Sequence, residues 1–290
     1  MKRCATVRKT RDFLWGQPAV HCISPGPAIT SGAPGQPGGR VAENQRIAQL
    51  VQEIHRESPD KGYRRIRDDL DKYYHTPVND KRTLRICRGL GIQSVVKHAP
   101  HGCTRAASSP RQLAENVLDR QFYADRPNEK WLTDVTEFHY YTGTNMRKLY
   151  LSAILDLCDR RIVSFVIRDT NDAALVHRTL AQALEGNPGA RPLLHSDRGS
   201  AYTTQIFHDK LAAAGITQSM SRVGKCIDNG PMEGFWGILK RERYYGRRFT
   251  SREQLVKMIQ EYITYYNFHR LQRGLGVRTP MEVHDRLLAA

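Results

Sequence analysis

LLHSDRGSAYTTQIFHDKLAAAGITQSMSRVGKCIDNGPMEGFWGILKRE, residues 193–242, decides how this chain is to be read. A short apolar run ends in one acid, Asp197. A second acid, Glu233, follows after 35 intervening residues. Between them the spacing predicts a helix over Thr204 to Ala214, stopped by Gly215, and a strand over Ile216 to Ser219. The loop from Met220 to Gly230 carries Arg222 and Lys225, and Pro231 suits the first turn of a helix reaching about Tyr245. With Gly230 as cap, Glu233 is the third helical residue. Seven residues at 100° each return almost to the same azimuth, which puts Lys240 on the face of Glu233 and leaves Phe235, Ile238 and Leu239 as the buried stripe.

Upstream, Trp131 to Tyr141, Arg147 to Asp156 and Arg161 to Arg168 are rich in branched and aromatic residues and are separated by short turns, predicting three consecutive antiparallel strands. A helix over Asn171 to Leu184 and a short strand over Pro192 to His195 come next. Strands in a meander, then helix and strand in alternation, imply an α/β fold with a mixed sheet flanked by helices. A third acid, Asp134, lies on the first strand.

Hard oxygen ligands from separate elements, without a cysteine or histidine set, suit magnesium or manganese rather than zinc. Two such ions held by Asp134, Asp197 and Glu233 would serve phosphodiester chemistry. Each acid also has an ordinary structural reading. Glu233 is favoured at a helix start by the dipole alone, Asp197 fits a turn in Asp-Arg-Gly-Ser, and Asp134 fits a strand residue. Asp156, Asp159 and Asp228 read as structural turn and loop acids. Lys240 reads either as a phosphate contact or as a solvated lysine.

The N-terminal half differs in texture. Residues 1–40 are basic, then Pro/Gly-rich, and read as a disordered tail. Residues 41–97 show three short helical patterns and are assigned to a small all-α helix-turn-helix domain. On its third helix, Asn79 to Leu90 closed by Gly91, the expected core face is Leu84, Cys87 and Leu90. Lys81, Arg82, Arg85 and Arg88 point outward, either to phosphates and guanine edges or merely to water. Residues 98–126 read as a linker with weak helical pattern near Leu113 to Phe122, and 127–290 as the main domain. Thr250-Ser251-Arg252-Glu253 predicts a capping box for a further helix, and Thr279-Pro280 starts the last one.

Lys and Arg outnumber Asp and Glu by 45 to 29, a formal charge of +16 that points to a polyanionic partner. No apolar run approaches a membrane span, and the six scattered cysteines form no zinc pattern. A soluble, cytoplasmic chain with reduced thiols is expected.

WLTDVTEF, KLYLSAILDLCDRRIVSF, LLHSDRGSAYT, SMSRVGKCIDNGPMEGFWGILKRE and YITYYNFHR with LGVRTP resemble the integrase-type core of insertion-sequence transposases of the IS-three family, the product of its second reading frame. GYRRI resembles the helix-turn-helix preceding that core, and the likeness covers about residues 41–288. It implies a ribonuclease-H-like fold and an Asp-Asp-Glu triad matched by Asp134, Asp197 and Glu233. It further implies magnesium-dependent cleavage of element ends and transfer of a 3′-hydroxyl to another phosphodiester, often through a circular intermediate. Lys240 matches a lysine thought to contact DNA. Gly230 and Gly234 stand where many relatives have Ala and Ser. DNA ends and target, a homo-oligomer on DNA and a nucleoid-associated bacterial location follow as expectations. So does an upstream-frame partner or frameshift fusion, because the additional helix-turn-helix and leucine zipper of relatives are not found. A non-catalytic DNA-binding regulator, a decayed transposase and a ribonuclease-H-fold nuclease are the competing readings.

Overall fold

Branched and aromatic residues alternating with polar ones make the first strands. The computed structural model describes residues 39–96, 113–223 and 225–289. In it β1 (Lys130–Thr142), β2 (Asn145–Asp156) and β3 (Ile162–Arg168) form an antiparallel meander. Gly143, at φ +64°, opens the two-residue β1–β2 loop in the left-handed region that such a hairpin demands, and the register runs on from Thr142↔Asn145 to Trp131↔Asp156. The strands β4 (Leu193–Ser196) and β5 (Thr217–Met220) add in parallel, giving the order β3-β2-β1-β4-β5. This mixed five-stranded sheet is the ribonuclease-H-like architecture expected above.

The pleat sends alternate residues to two layers of helix. On one face Trp131, Ile154 and Leu194 meet Val176 and Leu180 of α4 (Ala173–Gly186) and Phe207 and Leu211 of α5 (Gln205–Ala213). On the other, Leu132, Phe138, Leu151 and Leu155 meet α6 (Gly230–Leu239) through Phe235 and Leu239 and α7 (Arg252–Phe268) through Leu255, Ile259 and Tyr262. Each large side chain so buried contributes roughly 1.5–3 kcal/mol relative to exposure. These two clusters therefore hold β4 and β5, which are only four residues long.

Ahead of the sheet, α1 (Gly39–Glu57), α2 (Tyr63–Lys72) and α3 (Asp80–Gly89) close a core of their own around Ile47, Val51, Ile54, Ile66, Leu70 and Cys87. Asn79 caps α3 by accepting from the Arg82 amide at 2.7 Å. Gly91 ends it at φ +66°, with Ile92 N donating to Cys87 O and Gly91 N to Arg88 O.

Several expectations are corrected. The inward face of α3 is Thr83, Ile86, Cys87 and Leu90, an i, i+3, i+4, i+7 set, whereas Leu84 is only partly buried and stands outside that core. Arg82 does not simply point outward, because its guanidinium pairs with Glu43 and bonds Asn44 on α1. The expected 1–40 tail lies outside the described residues except for Gly39 and Arg40, which open α1. Of the expected linker, residues 113–126 are described, and they hold no helix. Instead Met220 N donates to Glu115 O, Leu118 N donates to Ser219 Oγ, and Leu118 is buried in the sheet's core, so the segment covers the outer edge of β5. The cap of α7 is Ser251, accepting from Gln254 N at 3.2 Å, while Thr250 bonds the Gln254 side chain. A full capping box does form at Thr279 and Glu282 of α8 (Pro280–Leu288).

Candidate active site

Asp134 is the fifth residue of β1, on the face it shares with Leu132 and Phe138 beneath α6. The parallel register pairs Leu132 with His195, and two residues further along the two strands Asp134 stands level with Asp197, just past the end of β4. The pairing ends two residues before the acids, and the charge of Asp197 acting on Asp134 marks the two as neighbours.

The third acid arrives with α6. That helix starts one residue earlier than expected, with Asn229 as its cap and Gly230 and Pro231 in its first turn, which makes Glu233 the fourth helical residue. Two bonds lock its start to β1. Asn229 Nδ2 donates to Thr133 O at 3.2 Å, and the Trp236 indole donates to Asp134 Oδ2 at 3.0 Å. Trp236 lies one turn beyond Glu233, and Lys240 one further turn on, where its ammonium sits 5.1 Å from the Phe138 ring centroid. Glu233, Trp236 and Lys240 thus run down the edge of α6 that meets β1, and Phe235 with Leu239 fills the core behind.

The electrostatics follow from this crowding. Burial, then the Asp197 charge, and to a lesser degree that of Glu233, push the Asp134 carboxyl up to about 7, against the pull of the Val135 amide and the Trp236 indole. Asp197 and Glu233 keep exposed surface, and desolvation by the neighbouring protein raises both, although Gly199 N donates to Asp197 Oδ1 at 2.8 Å. Burial lowers Lys240, and the charges of Asp134 and Glu137 oppose that shift. Among the described residues no three His, Cys, Asp or Glu side chains are gathered tightly enough to hold a metal ion. The Oδ1 of Asn229 is buried without a protein partner beside Thr133.

Sequence reasoning missed Trp236 and Asn229. Helical spacing was the available signal, since Trp236 is i+3 from Glu233 on the same face. Tyr202 was missed as well. Its buried hydroxyl lies 3.3 Å from Thr133 Oγ1 and feels the charges of Asp134 and Asp197, which with burial raise its pKa well above the usual phenol value.

The basic residues divide. Arg222 holds Asp228 with two guanidinium bonds, both 2.9 Å, and Arg120 adds a third at 2.7 Å. Asp228 is fully buried, and these arginines hold its carboxyl far below the usual range. Arg222 therefore ties the loop to the short 3-10 turn that precedes α6 while keeping 46% of its side chain exposed. Lys225, Lys81, Arg85 and Arg88 are exposed. Asp156 accepts from Asn128 N, Cys158 N and the Trp131 indole, and Asp159 from Arg161 N and His284.

The family described as integrase core domain matches residues 124–226 and, in a second model, 214–280, and the HTH-like domain matches 42–100. The chain is 40% identical over 211 residues to an uncharacterized transposase-like protein of Haemophilus influenzae, covering 73% of this chain and 95% of that one. It is 37% identical to the putative transposase InsK of insertion sequence element IS150 of Escherichia coli, covering 83% of each. Transposase InsF of insertion sequence IS3fB of the same species is 32% identical, over 70% of this chain and 69% of that one. With its integrase core behind a helix-turn-helix and likeness along most of the length of these proteins, the chain belongs to the IS3 family of insertion-sequence transposases, polynucleotidyl transferases of DNA transposition.

Proposed function

We propose that this transposase cleaves the ends of its insertion sequence and transfers the freed 3′-hydroxyl to another phosphodiester, using Asp134, Asp197 and Glu233 as its acid triad. The observation that carries the proposal is the register of β1 against β4, which sets Asp134 level with Asp197, together with the Trp236 bond that brings the Glu233 turn of α6 onto Asp134.

Three carboxylates without arginine partners, each raised by desolvation and Asp134 further by the charges of Asp197 and Glu233, are hard oxygen donors of the kind that suit a divalent cation. Magnesium or manganese, as two ions, would be held by Asp134, Asp197 and Glu233 and would supply activation of the attacking oxygen and stabilisation of the leaving one. Trp236 holds the Asp134 carboxylate in orientation. Lys240, half-buried against Phe138, presents its ammonium to a phosphate beyond the acids.

In this reading residues 41–97 recognise the DNA end through Lys81, Arg85 and Arg88 on α3, with Arg82 braced against α1. Residues 98–126 lead into the catalytic domain, 127–290, with 113–126 already packed along β5, and Arg222 and Lys225 line the DNA approach to α6. The protein acts as a homo-oligomer on DNA, with an upstream-frame product as partner or frameshift fusion, in the bacterial cytoplasm at the nucleoid. Among the described residues no helix is long and apolar enough to cross a membrane.

The test is a strand-transfer assay with purified protein, magnesium and duplexes carrying the element's ends. Joined product is expected, and D134N, D197N and E233Q each lose it while still binding the duplex. Cut but never joined DNA would make the chain a nuclease. Binding without either reaction would make it a regulator or a decayed transposase.

A further inference from the structure

The sequence words GYRRI, LKRER and YNFHR lie far apart along the chain, and the fold brings them to one buried point. After Leu239 the helix of α6 widens into a π-helical turn, Lys240–Tyr244, closed by Tyr245 N donating to Lys240 O at 2.7 Å. Such turns insert a residue into the helical phase and re-aim the side chains beyond them. Here the turn directs Glu242 inward, where it is 9% exposed. Its Oε1 accepts from Arg65 of α2 at 2.9 Å and from Arg270 at 2.8 Å, and its Oε2 from the Tyr262 hydroxyl at 3.0 Å. Arg65 continues to Asp60 at 3.0 Å and to the Tyr265 hydroxyl at 3.0 Å, and Arg243 reaches the same Asp60 at 2.9 Å. Two carboxylates and three guanidiniums therefore alternate across the junction of the helix-turn-helix with the sheet domain.

A buried charge cluster is a poor way to gain stability compared with apolar packing, but its geometry is exacting. A second tie lies alongside. Arg273 grips Asp68 of α2 with bonds of 2.9 and 3.0 Å and reaches Asp80, the first residue of α3, at 3.3 Å. From Glu242 back to Glu233 the backbone is continuous helix, a span of about 14 Å at 1.5 Å per residue.

We propose that Glu242 is a positioning residue that makes the helix carrying Glu233 and the helix-turn-helix move as one body, so that DNA held on α3 fixes the place of the third acid. The proposal rests on the reading of Glu233 and α3 given above. Coupling of this kind is reciprocal: a DNA end that orders α3 orders α6 through the same bonds.

Hydrogen exchange on the full-length protein tests it, with and without a duplex taken from the DNA bordering the coding sequence. In the wild type the duplex is expected to slow exchange in residues 230–245 by about fivefold or more. In Glu242→Gln, of nearly the same shape, that slowing is lost while duplex affinity changes by less than about threefold. Arg65→Met is the second variant, because it leaves Glu242 paired with Arg270. It is expected to lose the slowing too, with a smaller drop in melting temperature. Slowing that survives in both variants overturns the proposal, as does a wild type that binds the duplex with no slowing. Loss of duplex binding in parallel with melting temperature in both variants also overturns it, as a purely structural role. Exchange is read without any reaction, so full strand transfer by E233Q would remove the triad reading and leave the coupling standing.

Discussion

Two sets of carboxylates, the partly buried Asp134 with the exposed Asp197 and the buried Asp228 with Glu242, have opposite electrostatic fates. Asp228 and Glu242 are each met by two arginines, which hold both below the usual carboxylate range despite the opposing cost of burial. Asp134 and Asp197 have no arginine of their own, and both are pushed up. The chain has arginines to spare, 45 basic residues against 29 acidic, so the bare acids do not reflect a shortage of cations. Charge is neutralised where segments are joined and left unneutralised where β1, β4 and α6 meet. That contrast is what the proposed cation site at Asp134, Asp197 and Glu233 requires.

Neutralising one member of each set is the direct way to break the comparison. At the proposed site, Asp134→Asn, Asp197→Asn or Glu233→Gln should lower strand transfer by on the order of a thousandfold, as removal of one preorganised electrostatic group does elsewhere. None of the three should lower the melting temperature, and a thousandfold loss accompanied by unfolding would count against the assignment.

Asp228→Asn should do the reverse in kind. Its carboxylate is fully buried between Arg120 and Arg222, which are themselves 43% and 46% exposed. Breaking a buried pair costs about 3–5 kcal/mol, and solvent screening of the two arginines reduces the expectation to about 2–3 kcal/mol at pH 7. Because the folded pKa is depressed, this stability is present above the unfolded value near 4 and is lost as pH falls below it. Denaturant melts at pH 7 and pH 3 should therefore show the variant's deficit shrinking in acid.

How much of this was legible beforehand depends on range. The strands, the stops at Gly91 and Gly215 and the acids at positions 134, 197 and 233 rest on local pattern and spacing, and the elements appear within a few residues of expectation. The capping box was misplaced because Ser251, not Thr250, takes the cap, a one-residue choice that depends on where Gln254 points. Leu118, Asp228 and Glu242 were not legible as joints. Their partners lie between 6 and 177 residues away and are fixed only once the sheet and the helix-turn-helix have packed. The π-helical turn that sends Glu242 inward has no signature in a helical pattern read at 100° per residue.

A smaller effect sharpens the same contrast through stability alone. Asn at position 134 mimics the protonated acid and still accepts from Trp236. The wild-type carboxyl titrates near 7 in the fold against 3.8 unfolded, so the folded protein binds the extra proton between those values and loses stability as pH rises through them. Relative to wild type, Asp134→Asn should be neutral below about pH 4 and more stable by about 1–3 kcal/mol above pH 7, the lower part of the full shift because the side chain is only partly buried. A variant less stable at pH 8 would show that Asp134 is structurally paired.

The smallest expected change separates two arginines that sequence alone placed on one face. Arg85 is exposed on α3, whereas Arg82 is held by Glu43 and Asn44. A guanidinium that contacts a phosphate releases condensed counterions, and each such contact adds about 0.9 to the slope of log affinity against log salt. Arg85→Ala and Arg88→Ala should each lower that slope by about one and weaken binding severalfold at low salt. Arg82→Ala should leave the slope unchanged, because its charge is already spent on α1, and should instead slightly lower the melting temperature of the helix-turn-helix. An equal fall in slope for Arg82 and Arg85 would mean that DNA competes Arg82 away from Glu43, and the division between joining charges and reading charges would then end at α3.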